Sequence, residues 1–410
     1  MIIRVTNRDF HFYTILFVVL GYYQFIKFTL VPRPARILSE FAAIIVIILF
    51  LLIKQAYYSE KEAPKNFIFP ISLFIISMFL STIVTNFYHN QSYALSIWIS
   101  RGIFFYFLYF LLHAFKFEKE QLEKIIINLG LITIGLYYMQ TVLYPAQFFD
   151  VRMSIDRGTL RLFLPTMGLT ILAYFYYLNK FYKNNNPIDI IIALLCFSIF
   201  ILQATRQLIA SLALLTIINL FRSRQVKSRF FLVLFIFIGM VAMFFIFFEL
   251  FMEMFAVSHE QTGGETESIR VRAMRFYIHE LPPADLAYIL GNGEGHQASP
   301  YGMRLLGVQL IKGYFLSDIG IVGDYFRYGV IFIIAAIIML VKLLTIKVAP
   351  AYEYLRYFVY LQLFTLFTSK GIFGVPDLTI ILIAYLFDLG HKQYKLDKQV
   401  KIYTSERTNI

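Results

Sequence analysis

Residues 188–221 read IDIIIALLCFSIFILQATRQLIASLALLTIINLF, an apolar run interrupted once, by Gln203-Ala-Thr-Arg-Gln207. As one helix it would be roughly 50 Å long at about 1.5 Å per residue, too long for a hydrocarbon core of about 30 Å. The stretch therefore reads as two short spans joined by a tight polar turn. Each holds only about 14 or 15 apolar residues, which draws the turn and Arg206 below the lipid surface. An uncompensated guanidinium there costs several kcal/mol, so Arg206 needs an anionic partner or must snorkel to headgroups.

The rest of the chain repeats this apolar character. Of its 410 residues 59% are hydrophobic and only 15% charged, too little polar surface for a soluble globule. Apolar runs predict spans at about 11–30, 37–56, 67–87, 94–115, 122–143, 161–180, 188–202, 207–221, 229–251, 319–341, 354–369 and 375–389. The expected fold is thus an all-α polytopic membrane protein with about twelve transmembrane helices.

Charge fixes the expected orientation. With both termini cytoplasmic, most of the 37 Lys and Arg residues fall in short inner loops, as the positive-inside rule requires. Fusing 188–221 into one span would move Arg222, Arg224, Lys227 and Arg229 outside and break the rule. The net charge of +12 therefore reflects orientation rather than nucleic acid. The sole cysteine, Cys196, forbids an intrachain disulfide.

This topology divides the chain into an N-terminal bundle, 1–250, a large periplasmic loop, 251–317, a second set of spans, 318–390, and a basic tail, 391–410. The loop contains short helices. Ser268 can cap one of them, placing Arg272, Arg275 and His279 on one face at 100° per residue and Arg270 nearly opposite. Guanidinium forks match phosphate oxygens, so the stripe reads as an anion clamp or a solvated basic face. Pro282-Pro283 ends that helix, and Leu290-Gly-Asn-Gly-Glu-Gly-His296 follows as a sharp turn without the Lys-Ser/Thr of a nucleotide loop.

Two further cations stand in or beside spans. Arg101, inside the fourth span, reads equally as a functional residue or half of a structural ion pair. Lys370 repeats the setting of Arg206 more weakly. His259, His279 and His296 are scattered, and no metal site or cofactor is expected.

Three spaced features resemble bacterial O-antigen polymerases and ligases. Thr205-Arg206-Gln207 is similar to their Ser-Arg-Gly helix start. Arg272-Ala-Met-Arg-Phe276 followed by Leu290-Gly-Asn-Gly293 resembles their periplasmic loop. Ser317-Asp-Ile-Gly-Ile-Val-Gly323, with Gly329 eleven residues after Asp318, resembles the start of their next span. The likeness covers residues 203–390; the N-terminal half matches only in hydropathy.

The resemblance implies an inverting, metal-independent glycosyltransferase of the GT-C-like membrane class in the bacterial inner membrane. Arg206 and Arg272 take the places of its two functional arginines. Arg275, Arg270, Arg101, His279, His296 and Lys370 are expected to bind diphosphate or glycan. Where the ligases carry His, this chain has Asp318, which favours a polymerase and makes Asp318 the leading candidate base. Implied partners are an undecaprenyl-diphosphate-linked oligosaccharide as donor and acceptor, membrane lipid, a flippase and a chain-length regulator, with no nucleic acid. The alternatives are a ligase using lipid A core and a lipid-linked oligosaccharide flippase.

Overall fold

A computed structural model of the chain describes residues 7–55, 65–156, 159–203, 205–222, 268–367 and 378–408. The expected span 229–251, the first part of the periplasmic loop, His259 and Lys370 lie outside the described residues. Within them the fold is all-α, apart from one small hairpin of β1, Met153–Asp156, and β2, Thr159–Leu162. Helices α1, Asn7–Tyr22, α2, Arg33–Gln55, and α3, Ile68–His89, open the bundle. A bent leg follows, made of α4, Tyr93–Ile99, a 3₁₀ segment, Arg101–Phe107, and α5, Leu108–Phe115. After α6, Lys119–Leu143, and the hairpin come α7, Met167–Asn184, α8, Pro187–Leu202, and α9, Arg206–Arg222.

The expected break in 188–221 is present: α8 ends at Leu202 and α9 begins at Arg206. Asn186 caps α8 by accepting from the Ile188 amide at 3.1 Å, with Pro187 in the first turn, where its missing N–H has no intrahelical use. Boundaries differ from expectation in several places, and the last helix runs to Thr408 rather than stopping near 389. The first span stops at Tyr22, because Gln24 to Lys27 all take positive φ. The span expected at 161–180 starts only at Met167, since Arg161 is paired in the hairpin opposite Ser154.

Among the described residues four helices are long and apolar enough to cross a membrane: Arg33–Ile53, Ile68–His89, Lys119–Leu143 and Gly320–Thr345. The bent leg, turned by 58° between Ile99 and Arg101, makes a fifth if it counts as one span. Helices α8 and α9 are apolar but shorter. The core of the bundle is one continuous cluster of buried Ile, Leu, Phe and Tyr running from Ile15 to Phe387.

Successive legs alternate in direction. At one end Thr85 meets Asn292, Gln91 meets Glu294, Arg36 meets Asp150, and Gln203 meets Arg161. At the other, Asn66, Tyr109 and His113 gather on Asp388, while Tyr354 meets Glu123. Residues 268–318 sit at the first end, here called the cap end. They contain α10, Ile269–Arg275, α11, Asp285–Leu290, and α12, Pro300–Lys312. Helix α13, Gly320–Thr345, returns to the far end, α14, Tyr354–Thr365, comes back, and α15, Leu378–Thr408, leaves again.

Helix α13 packs along α3 and is broken at Gly329, whose φ is 75° and ψ −169°. The break frees the carbonyls of Phe326 and Arg327, which an unbroken helix would bond to amides four residues on. They accept instead from Asn292 N at 2.8 Å and Gly293 N at 2.7 Å. Gly291 and Gly293 have positive φ, so the expected sharp turn is there, pressed against the helix break. A Cβ at Gly329 would lie 2.2 Å from the Ile289 carbonyl oxygen, and one at Gly293 would lie 1.9 Å from Thr85 Oγ1.

Gly329→Ala should therefore lower stability by about 2 kcal/mol or more, because it combines a forbidden backbone region with a backbone clash. Gly307→Ala, inside α12 with nothing within 4 Å of the added Cβ, should be neutral or stabilising by up to about 1 kcal/mol. Thermal unfolding in detergent checks the pair, and equal melting temperatures would refute the account of the break.

Candidate functional site

The cap is held by a small core of its own. Ala273, Phe276, Tyr277, Leu281, Tyr301, Leu305, Leu316, Ile319 and Phe326 form a cluster separate from that of the bundle. Ser268 opens α10 as expected, its side chain accepting from the Arg270 amide. The helix then widens into a π turn, Phe276–Glu280, closed by Leu281 N to Phe276 O at 3.2 Å. Tyr277 donates to the Tyr314 carbonyl at 2.8 Å. Burial pushes its phenol up to about 12, against the opposing charge of Arg327, so it stays a donor across the physiological range.

The π turn begins directly after Arg275 and contains His279. Arg272 is half-buried, while Arg270, Arg275 and His279 are exposed. Asp318 is exposed ahead of α13 and accepts from Ser317 Oγ at 3.1 Å. His296 is tied into its own loop: its amide donates to Gln91 Oε1 at 2.8 Å and its Nδ1 accepts from Ala298 N at 3.1 Å. The main chain of Arg206 opens α9, and its side chain lies outside the described residues.

Arg101 has an acidic partner in the fold. Its Nη2 donates to Glu40 Oε2 at 3.0 Å, its Nη1 to the Trp98 carbonyl at 2.8 Å, and its guanidinium lies 5.7 Å from the Trp98 ring centroid. Gln24 completes the arrangement by donating to the same Glu40 oxygen at 2.7 Å. Arg101 is thus half of an ion pair in the fold.

Two of the three motif regions meet at the end of α14. Gln207 Nε2 donates to the Phe364 carbonyl at 2.8 Å, and Ile321 N donates to the Leu366 carbonyl at 2.9 Å. Gly320, next in chain to that amide and φ +52°, leaves no room for a Cβ beside Leu366 O. Leu316 and Ile319, which flank Asp318, belong to the cap core with Ala273 and Phe276 of the Arg272 segment. The start of α9, the start of α13 and α10 are thereby tied to one end of the bundle.

Sequence reasoning missed a polar nest between α3, α13 and the glycine turn. Tyr328 donates to Glu294, and Arg327 Nη1 pairs with Asp324 Oδ1 at 3.2 Å. Gln91 donates to Ser96 Oγ and the Glu294 carbonyl and accepts from His296 N and Ser299 Oγ, at 2.6 to 3.0 Å. His89 bonds Asn292 Oδ1 at 3.2 Å and stacks on Tyr301 with centroids 3.9 Å apart. The signal was available in Asp324 and Arg327, an i,i+3 pair inside an apolar run. A groove of about 470 Å³, lined by Arg8, Asp9, Phe12, Tyr13, Glu120, Gln121 and Lys124, lies at the far end and shares no residue with this region.

Fold and site together define an all-α chain with helices fit to span a membrane and a compact helical cap at one end of the bundle. The chain matches no family model, no curated protein and no solved structure.

The Arg101 and Glu40 side chains are only 18% and 9% exposed, so removing one partner strands the other in a poorly solvated site. Arg101→Ala and Glu40→Ala should each cost about 3 kcal/mol, and the double variant clearly less than their sum. A double-mutant cycle on detergent-purified protein measures this; additive losses would mean that the pair carries no coupling.

Proposed function

We propose that the chain is a membrane glycosyltransferase that polymerises polyprenyl-diphosphate-linked repeat units, as its resemblance to O-antigen polymerases implies. One observation carries the reading: the segments holding Arg206, Arg272 and Asp318, far apart in sequence, are fastened to the same end of the bundle through α14 and the cap core. A lipid-linked substrate presents its diphosphate at that level. About twelve spans in the GT-C-like class belong to this reading. Basic residues such as Lys116, Lys119, Lys183, Lys347, Lys392 and Lys395 cluster at the far end, which supports a cytoplasmic far end and a periplasmic cap.

In this reading Arg206 and Arg272 hold the donor diphosphate, with Arg275 and Arg270 nearby. An acceptor hydroxyl attacks the anomeric carbon of the donor sugar. The C1–O bond to the diphosphate breaks, its electron pair goes to the leaving oxygen, and the guanidinium groups stabilise the charge that develops there. The hydroxyl proton passes to a base, for which Asp318 is the leading candidate, an exposed carboxylate at the cap end. His279 is the second exposed choice. Arg101, engaged by Glu40, is assigned to structure.

Purified protein in liposomes, given a polyprenyl-diphosphate-linked repeat unit, should produce a ladder of longer lipid-linked glycans. Arg206→Ala and Arg272→Ala should each reduce elongation by about 10²-fold or more while protein still accumulates in the membrane. Near-normal ladders from both variants would overturn the proposal. Transfer only when lipid A core is supplied would select a ligase, and movement of substrate across the bilayer without new glycosidic bonds a transporter.

A further inference from the structure

We infer that the edge of the cap formed by the start of α10 and the end of α12 inserts into the membrane leaflet at the cap end, with basic side chains on the lipid phosphates. Leu310 and Ile311 are 73% and 87% exposed, and Ile269 and Val271 are 47% and 44% exposed. Ile269 lies beside the end of α12 that carries Leu310 and Ile311. Gly313, the left-handed residue ending α12, brings the two helices so close that a Cβ on it would lie 3.2 Å from Ile269 Cδ1. Ala273 of α10 and Leu305 of α12 fill the cap core, and Leu305 stands roughly 120° to 140° around α12 from Ile311 and Leu310, so α12 is apolar on two sides. A helix with an apolar face turned away from its own core needs a second apolar surface to meet.

Charge decides what that surface is. Helices α10 and α12 contain five basic residues, including Arg270 and Lys312 beside the patch, and no carboxylate. An apolar face with Arg270 and Lys312 beside it matches hydrocarbon topped by phosphate better than it matches a protein surface. Lys312 lays its ammonium 4.3 Å from the centre of the Phe276 ring, so its stem covers the cap while its charge stays at the edge. The surroundings agree. Phe87, Tyr93, Trp98 and Tyr144 are all exposed at this end of the bundle, where aromatic side chains mark the water–lipid boundary. Insertion would fix the height of the cap above the membrane independently of any reaction performed beneath it.

Cys196 is fully buried, so a cysteine introduced at the surface can be labelled selectively. Ile311→Cys and, as the control in the exposed turn of the same cap, Gln297→Cys should be labelled with an environment-sensitive fluorophore. The proteins are then placed in nanodiscs of phosphatidylethanolamine and phosphatidylglycerol containing lipids with a nitroxide near the top of the acyl chain. The label at 311 should be blue-shifted and quenched at least threefold more strongly than that at 297. Equal quenching at the two positions would overturn the inference. A blue-shifted label at 311 that lipid nitroxides fail to quench would overturn it too, since the patch would then be covered by protein, from this chain or a second copy. Neither readout depends on glycan transfer, so failure here leaves the proposed reaction to its own test.

Discussion

The structure depends on one exchange of backbone hydrogen bonds. Inside hydrocarbon or a packed protein, a helix cannot leave carbonyls without partners, because each orphan costs several kcal/mol. Helix α13 nevertheless breaks at Gly329, and the turn Gly291–Gly293 supplies the missing donors to Phe326 and Arg327. The glycines on both sides are there for closeness, since either backbone would meet a Cβ on the other at under 2.7 Å. That fit helps dock the cap on the bundle.

Around this joint the polar groups are disposed in satisfied sets. Gln91 uses both ends of its amide, Thr85 reaches the Asn292 carbonyl, and Tyr328 donates to Glu294, so α3, α13 and the turn share one network. The far end carries its counterpart on Asp388, which accepts from Asn66, Tyr109 and His113 and so joins α5 and α15 to the residues before α3. Polar clusters at both ends with an apolar middle are what a bundle in a bilayer requires, since register along the membrane normal comes only from directional bonds. The apolar core supplies close packing but little that distinguishes one depth from another.

Much of this was legible beforehand, and the reasons differ by residue. The break at 203–205 could be read because length and one polar cluster exclude a single span. The Ser268 cap and the left-handed Gly291 and Gly293 could be read because capping and positive φ are local properties. The π turn at Phe276–Glu280 was not legible, since it leaves no periodic mark and Phe276 and Tyr277 pack in the cap core against residues distant in sequence. The Arg101 partner was hidden for a similar reason: Glu40 lies 61 residues earlier, and only the crossing of α2 with the bent leg brings the two together.

By itself the sequence determined an all-helical chain with membrane-length apolar runs, a polar break before Arg206 and a cap with short helices, because hydropathy, charge bias, capping and glycine conformation act over one or a few turns. Only the tertiary structure decided that the glycine turn feeds the gap in α13, that Glu40 neutralises Arg101, and that the starts of α9 and α13 meet at the end of α14. Those outcomes depend on which distant backbones can approach closely enough to exchange hydrogen bonds, and that selection is made by three-dimensional packing.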